Sequence, residues 1–275
     1  MNESDRAEEE KYLNLEIFGP RRDEFVAAIQ FLLKGELPEG WDWVSSSSNS
    51  IVARSKNPPI YYYKEFLSRS SVESLKGLFS GSRCERARLQ GDILRQKGFD
   101  TPVWCCWGKT KQRHFMVAEG IDAIGMGEFI YKSWRPPLDK KKIDVKRVII
   151  EKLGLTIGRL HRAGIFHGDL RLNNILLSHR DKEVAFYFID NERNRVYKKI
   201  PKYLIEKNLV QVNLVLPRYV TRQDRLRFYK TYNKVYDRFS RAEQIALMQR
   251  IQSRTLKRLK KIEQRTEGLW HDFLK

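Results

Sequence analysis

The chain has 275 residues, with 53 lysines and arginines against 34 aspartates and glutamates, a formal net charge of +19. That length suits one bilobal unit with ample apolar core, and that charge attracts polyanions such as nucleic acid, anionic headgroups or phosphorylated glycans. Three cysteines, Cys84, Cys105 and Cys106, are too few and too poorly spaced for a disulfide framework or a zinc site, which fits a reducing cytoplasm; a polar, acidic start and no apolar run near the ~20 residues that span a bilayer predict neither signal peptide nor membrane anchor.

Met1 to Lys11 reads as a disordered tail, followed by a short helix over Asp23 to Lys34 that Gly35 closes. Trp41 to Val44 and Ile51 to Arg54 read as strands around a polar loop, Ser45 to Ser50, and the Pro58-Pro59 turn leads to a third strand over Ile60 to Leu67. Arg83 to Lys97, closed by Gly98, reads as a helix, and Pro102 to Trp107 and His114 to Glu119 read as two more strands. Lys140 to Lys142 form an exposed basic stretch. Asp144 to Ala163 then carries the apolar periodicity of a helix, with Val148, Ile149, Leu153, Leu155, Ile157 and Leu160.

That helix delivers the run Gly164-Ile165-Phe166-His167-Gly168-Asp169-Leu170-Arg171-Leu172-Asn173-Asn174-Ile175-Leu176-Leu177, and an apolar strand, Phe186-Tyr187-Phe188-Ile189, ends in Asp190. An aspartate two residues after a histidine, an asparagine five residues later and a second aspartate closing a strand is the spacing of a protein-kinase-like catalytic loop and its metal site. Asp169 can accept the proton of an attacking hydroxyl, while the Asn174 amide oxygen and the Asp190 carboxylate hold Mg2+ from two sides. Phosphoryl transfer from ATP needs little more, because metal-bridged phosphates and an oriented nucleophile supply most of the catalysis. A lone His-x-Asp is usually structural, but the asparagine, the apolar triplet and Asp190 in order are not explained by a coincidental loop. His161 and His167 read as packed beneath the loop, since no second ligand stands at a zinc-site spacing. After Asp190 the chain continues Asn191-Glu192-Arg193 without the glycine of Asp-Phe-Gly, so no flipping activation segment is expected.

The loop assigns places to the upstream elements by their order, giving an α+β, bilobal protein-kinase-like fold with a small β-rich N-lobe and a helical C-lobe. The expected division is 1–40, an N-terminal tail and helix; 41–118, the N-lobe; and 119–275, the C-lobe with basic C-terminal helices. Ser47 and Ser48 would cover the ATP phosphates, although the run lacks Gly-x-Gly-x-x-Gly and a flexible surface turn explains it equally well. Lys64 is the third-strand lysine that would neutralise phosphate charge, with Glu85, or alternatively Asp92, as its acidic partner from the following helix. Glu119-Gly120 stands at the hinge where adenine would bond to backbone. From Pro217 the chain is basic and helical, over Gln223 to Phe239 and Arg241 to Gln264. The second helix turns Ile245, Met248, Ile251, Leu256, Leu259 and Ile262 toward one face. Arg250, Arg254, Lys257, Arg258, Lys260, Lys261 and Arg265 crowd the rest, as a solvated face or a surface for anionic lipid.

Together these residues resemble the lipopolysaccharide core kinases, which phosphorylate Kdo or heptose sugars of the Gram-negative inner core. Tyr62-Tyr63-Lys64, the step from Gly98 to Pro102, the catalytic run, Phe186 to Asp190, Asn208-Leu209-Val210-Gln211-Val212-Asn213 and Thr221 to Phe228 carry the resemblance, over roughly Trp43 to Lys261. The resemblance implies an ATP- and Mg2+-dependent sugar kinase, peripheral at the cytoplasmic face of the inner membrane, with a lipid A–core glycolipid acceptor and an anionic membrane surface as partners. One residue departs from it: Asn208 stands where an aspartate that buttresses the catalytic loop is expected. A compact serine/threonine protein kinase shares the catalytic motif and is the alternative enzyme. A pseudokinase or basic RNA-binding scaffold fits less well, since Lys64, Asp169, Asn174 and Asp190 are all present and the aromatics are not interleaved with basic residues; nucleic acid is not expected as a partner.

Overall fold

The structure, a computed structural model, describes residues 14–46, 48–67, 81–111, 113–180 and 183–265; the expected tail over Met1 to Lys11 lies outside them. Two compact units divide the chain, one formed by Met1–Gln96 with Thr101–Asp122 and the other by Lys97–Asp100 with Ala123–Lys275. The boundary therefore follows Asp122 rather than residue 118, and the described residues 14–40 belong to the first unit.

In the first unit six antiparallel strands stand in the order β1-β5-β6-β4-β3-β2: β1 Glu16–Phe18, β2 Trp41–Val44, β3 Ser50–Ser55, β4 Tyr61–Phe66, β5 Trp104–Lys109 and β6 His114–Glu119. The edge strand β1 has three residues, too few to show a period, and pairs Ile17 with Gly108. A Cβ at Gly108 would lie 2.3 Å from the Glu16 carbonyl oxygen, so only glycine lets the edge close. Helix α1, Arg22–Lys34, presents Phe25, Ile29, Leu32 and Leu33 at helical spacing and joins them to Ala53, Tyr63, Cys106, Phe115 and Val117 in one core. Gly35 ends it in the left-handed conformation (φ +78°). Strand β4 alternates: Tyr63 enters that core, while Phe66 joins Cys84, Ala87 and Met116 in a second cluster with helix α2, Arg83–Gln96. Lys64 shares the parity of Phe66, and its Nζ lies 5.3 Å from that ring's centroid.

The second unit is mainly helical: α3 Met126–Ser133, α4 Lys140–Arg162, α5 Lys202–Val212, α6 Arg222–Val235 and α7 Arg241–Arg265. Lys140 to Lys142 form the first turn of α4, not a stretch before it, because Asp139 caps the helix and accepts from the Lys142 N–H at 2.8 Å. Helices α4 and α6 pack closely where α4 has glycine: a Cβ at Gly154 would fall 2.2 Å from Thr231 Oγ1. Helix α5 gives no apolar stripe in the sequence since it is buried nearly all round, at Leu204, Ile205, Glu206, Asn208, Leu209, Val210, Gln211 and Val212. Short strands complete the unit: β9 Ile175–Arg180 between β7 Ile124–Gly125 and β10 Glu183–Phe188, and β8 Ile165–Phe166 with β11 Arg195–Val196.

Two expectations for the C-terminal helices change. Helix α6 stops at Val235, although Tyr236 and Phe239 beyond it remain buried. Helix α7 buries Leu247, Ile251 and Thr255, whereas Ile245, Leu256 and Ile262 are exposed, so the packed stripe is rotated from the expected one. Arg250 and Arg254 of α7 are committed to the fold, their guanidiniums 3.0 and 2.7 Å from the two carboxylate oxygens of Glu206 on α5. Among the described residues no helix is long and apolar enough to cross a membrane.

Candidate active site

The loop between β8 and β9 is held from beneath by imidazole and amide groups. His167 is fully buried; its Nδ1 accepts from the Asp169 N–H at 3.1 Å, so the proton sits on Nε2, which faces the Ile189 carbonyl at 3.2 Å. His161 is buried too, with Nε2 toward Asn208 Oδ1 (3.2 Å) and Nδ1 meeting the Tyr232 hydroxyl (2.8 Å). Burial disfavours both imidazolium forms and pushes both pKa values down to about 4. Both ring nitrogens of each histidine are engaged by these partners, so both side chains serve as packed supports beneath the loop. Gly168 permits the next contact, since a Cβ there would lie 2.2 Å from the Arg193 Cβ. Its N–H donates to Asn194 Oδ1 at 3.1 Å.

Asn208 resolves the departure noted in the sequence. Fully buried on α5, its Nδ2 donates to the His167 carbonyl (2.7 Å) and to Gln211 Oε1 (3.1 Å), and its Oδ1 accepts from the His167 N–H (3.3 Å). A carboxylate could accept the last bond but donate none, and would put an unpaired charge beside a neutral imidazole. The amide thus buttresses the loop. Gln211, one turn further along α5, receives the Leu170 N–H on Oε1 (3.3 Å) and donates from Nε2 to Asp169 Oδ1 (3.0 Å). Sequence reasoning missed Gln211: a neutral side chain 42 residues from Asp169 on a helix without amphipathic signal gives no local sign of its partner.

Asp169 is partly exposed, and Arg171 lies across both of its oxygens, with Nη2 2.6 Å from Oδ2 and Nε 2.9 Å from Oδ1. Asn174 is buried and donates from Nδ2 to the Asp169 carbonyl at 2.9 Å, which turns its amide oxygen away from the loop backbone. The β9–β10 hairpin, pairing Ile175 with Phe188, brings the strand ends together, and Ile189 N–H bonds to the Asn174 carbonyl at 3.1 Å. Asp190 follows at once, exposed and left-handed (φ +58°, ψ +44°), a conformation rare outside glycine and favoured at sites that must aim a side chain. Asp169, Asn174 and Asp190 are thus brought together by one loop and one hairpin. Amide and carboxylate oxygens suit Mg2+, which takes few protein ligands and fills its shell with water and phosphate oxygens.

The first unit places its expected residues less uniformly. Lys64 is half-buried on the sheet face that meets α2. Glu85 is occupied elsewhere: it closes a capping box at the start of α2, its Oε2 accepting from the Ser82 N–H (2.7 Å) while Ser82 Oγ accepts from the Glu85 N–H (3.1 Å). Asp92 pairs with Arg88 at 3.2 Å and with Arg95. Both carboxylates proposed for Lys64 therefore serve α2 itself. The Glu119 and Gly120 N–H groups, expected to meet adenine, donate to the Val103 and Ile60 carbonyls at 2.9 and 2.7 Å; the Glu119 carboxylate takes Arg21 at 2.9 Å. Ser48 lies in an exposed turn, and Ser47 falls outside the described residues.

The two units and the loop define a protein-kinase-like fold. Solved WaaP in complex with acyl carrier protein shares it, with a TM-score of 0.63 at 19% identity, covering 89% of this chain and 99% of that one. The sequence model of the lipopolysaccharide kinase (Kdo/WaaP) family matches residues 84–232, more than half of the chain, and the chain belongs to that family. Lipopolysaccharide core heptose(I) kinase WaaP of Pseudomonas aeruginosa is 32% identical over 152 residues, 50% of this chain and 55% of that protein. KEOPS complex subunit Bud32 of Pyrococcus abyssi is 31% identical over 109 residues, 39% of this chain and 44% of that protein. The chain spans about half the length of these curated relatives.

Proposed function

We propose that the chain transfers the γ-phosphoryl group of ATP to a hydroxyl of an inner-core sugar, Kdo or heptose, on a lipid A–core acceptor. One observation carries this reading: Asp169, Asn174 and Asp190 converge on a loop whose backbone is pinned by His167, Asn208 and Asn194. Asp169 takes the proton of the acceptor hydroxyl as that oxygen bonds to the γ-phosphorus, and the β–γ bridging oxygen leaves with ADP. Arg171 must first release Asp169, and its exposed position (64%) lets it exchange the carboxylate for another anion. Asn174 and Asp190 would hold Mg2+, which would supply charge neutralisation at the phosphates. Lys64 supplies a further positive charge to the nucleotide phosphates.

The partner surface is the distal part of α7. Lys257, Arg258, Lys260 and Lys261 are exposed there beside exposed Leu256 and Ile262, a composition suited to an anionic membrane surface, where each basic residue contributes about 1 kcal/mol. Arg254 is left out because it holds Glu206. Labelled ATP offered with purified lipid A–core or with a protein extract tests the reading: label in the glycolipid is expected, and label in protein alone would replace the sugar kinase with a protein kinase. Reversal of Lys257, Arg258 and Lys261 to glutamate should weaken vesicle binding, which in the wild type falls as salt rises.

A further inference from the structure

Asp169 has two carboxylate oxygens, and its terminal torsion is broad and two-fold, so the backbone position of the loop does not decide which oxygen meets a hydroxyl. Arg171 touches both and is mostly exposed, so it cannot decide either. Gln211 touches only Oδ1, at 3.0 Å. Its orientation is over-determined: the Leu170 N–H and Asn208 Nδ2 are both donors and both meet Oε1, which leaves the nitrogen for Asp169. Asn208 is fixed in turn by the backbone N–H and carbonyl of His167 and by His161, and these side chains are buried. A chain of neutral hydrogen bonds thus runs from the core of the second unit to one oxygen of the candidate base.

We propose that Gln211 is a positioning residue for phosphotransfer, fixing the Asp169 carboxylate so that Oδ2 receives the acceptor proton while Oδ1 stays bound to the Gln211 amide; this rests on the phosphotransfer reading above. The device also accounts for Asn208. An amide there can donate to Gln211 and to the loop carbonyl, keeping the relay uncharged up to Asp169, whereas an aspartate would turn an acceptor toward Gln211 Oε1 and break it.

The first measurement needs no acceptor. The side-chain amide resonances of Gln211 should move in Asp169→Asn, where the charged acceptor at Oδ1 is lost; resonances that ignore Asp169 would overturn the proposal while leaving the kinase reading standing. The second uses labelled ATP and purified lipid A–core. Gln211→Ala should lower kcat roughly tenfold to a hundredfold with KM for ATP within about twofold, a fraction of the 10²–10⁴ expected of a whole general base. In the Asp169→Asn background the same change should cost nothing further, because the two residues act as one unit. Gln211→Glu keeps both acceptor roles but sets a carboxylate against Oδ1, and should lower kcat at least as far as Gln211→Ala while leaving KM for ATP within about twofold. An additive double variant, or wild-type kcat in a folded Gln211→Glu protein, would reduce Gln211 to a tie for the Leu170 N–H. Failure of the wild type to label lipid A–core would instead count against the acceptor assignment.

Discussion

The second unit fixes its candidate site with short, buried, mostly neutral hydrogen bonds, whereas the first unit leaves its candidate residues to side chains engaged in holding their own elements. Asn208, Gln211, His167 and Asn194 each meet the catalytic loop at 3.3 Å or less. Glu85 and Asp92, by contrast, cap and brace α2, and the Glu119 and Gly120 amides close their own sheet. The difference teaches where charge is placed in such a fold. Burying a neutral amide with all its bonds made costs little, while a buried charge needs a partner, so the loop's support is built from amides and the ionised groups of the candidate site stay near solvent, the buried Lys146–Asp224 pair away from it being matched at 2.8 Å.

The strongest way to break the comparison is at its charged edge. Asp190→Ala should lower phosphotransfer by about 10³-fold or more, since it removes several kcal/mol of charge stabilisation at the metal, yet should melt near the wild type because the side chain is exposed. Wild-type turnover in that variant would remove the metal assignment. Lys64→Ala tests the first unit on the same scale, with an expected loss of roughly 10²-fold in kcat and an intact fold. Unchanged kinetics would mean that phosphate charge is met by a different cation.

The neutral support has its own signature in pH. His161 and His167 have pKa values near 4 when folded and about 6.5 when unfolded. Between those values the unfolded chain binds more protons, so stability is complete above about pH 6.5 and declines as pH falls toward 4, with a slope approaching 2.7 kcal/mol per pH unit when both are engaged. Urea titrations from pH 7.5 to 5 should show the midpoint falling. A flat midpoint would mean that the imidazoles are not held neutral.

The contiguous parts of this site were legible in the sequence because the chemistry sits at fixed offsets: Asp169 and Asn174 five residues apart, then Asp190 at a strand end. The strands from Trp41 to Phe66 and helix α4 were legible through their periods of two and 3.6. Helix α5 was not, since burial on every side erases the pattern, and with it went Gln211. The rotated stripe of α7 escaped for a related reason: Ile245, Leu256 and Ile262 look like core in composition, yet the helix packs through Leu247, Ile251 and Thr255. Glu85 was misread because an acidic residue early in a helix satisfies two rules at once, a lysine partner across the sheet and a cap on its own first turn, and only coordinates show which bond is made.

The smallest effect discriminates between those two rules. If Glu85 is the capping-box residue that its bonds to Ser82 describe, Glu85→Gln should cost a few tenths of a kcal/mol, since Gln also serves at this position, and Glu85→Ala about 1 kcal/mol. Both variants should keep kcat and KM for ATP within about twofold of the wild type, because the loss falls on the first turn of α2 and not on Lys64. If Glu85 were the partner that holds Lys64, Gln could not replace it, and Glu85→Gln would depress turnover about as far as Lys64→Ala while leaving the melting temperature nearly unchanged. The two variants therefore move stability and turnover in opposite proportion under the two assignments, and a thermal melt beside a steady-state assay separates them.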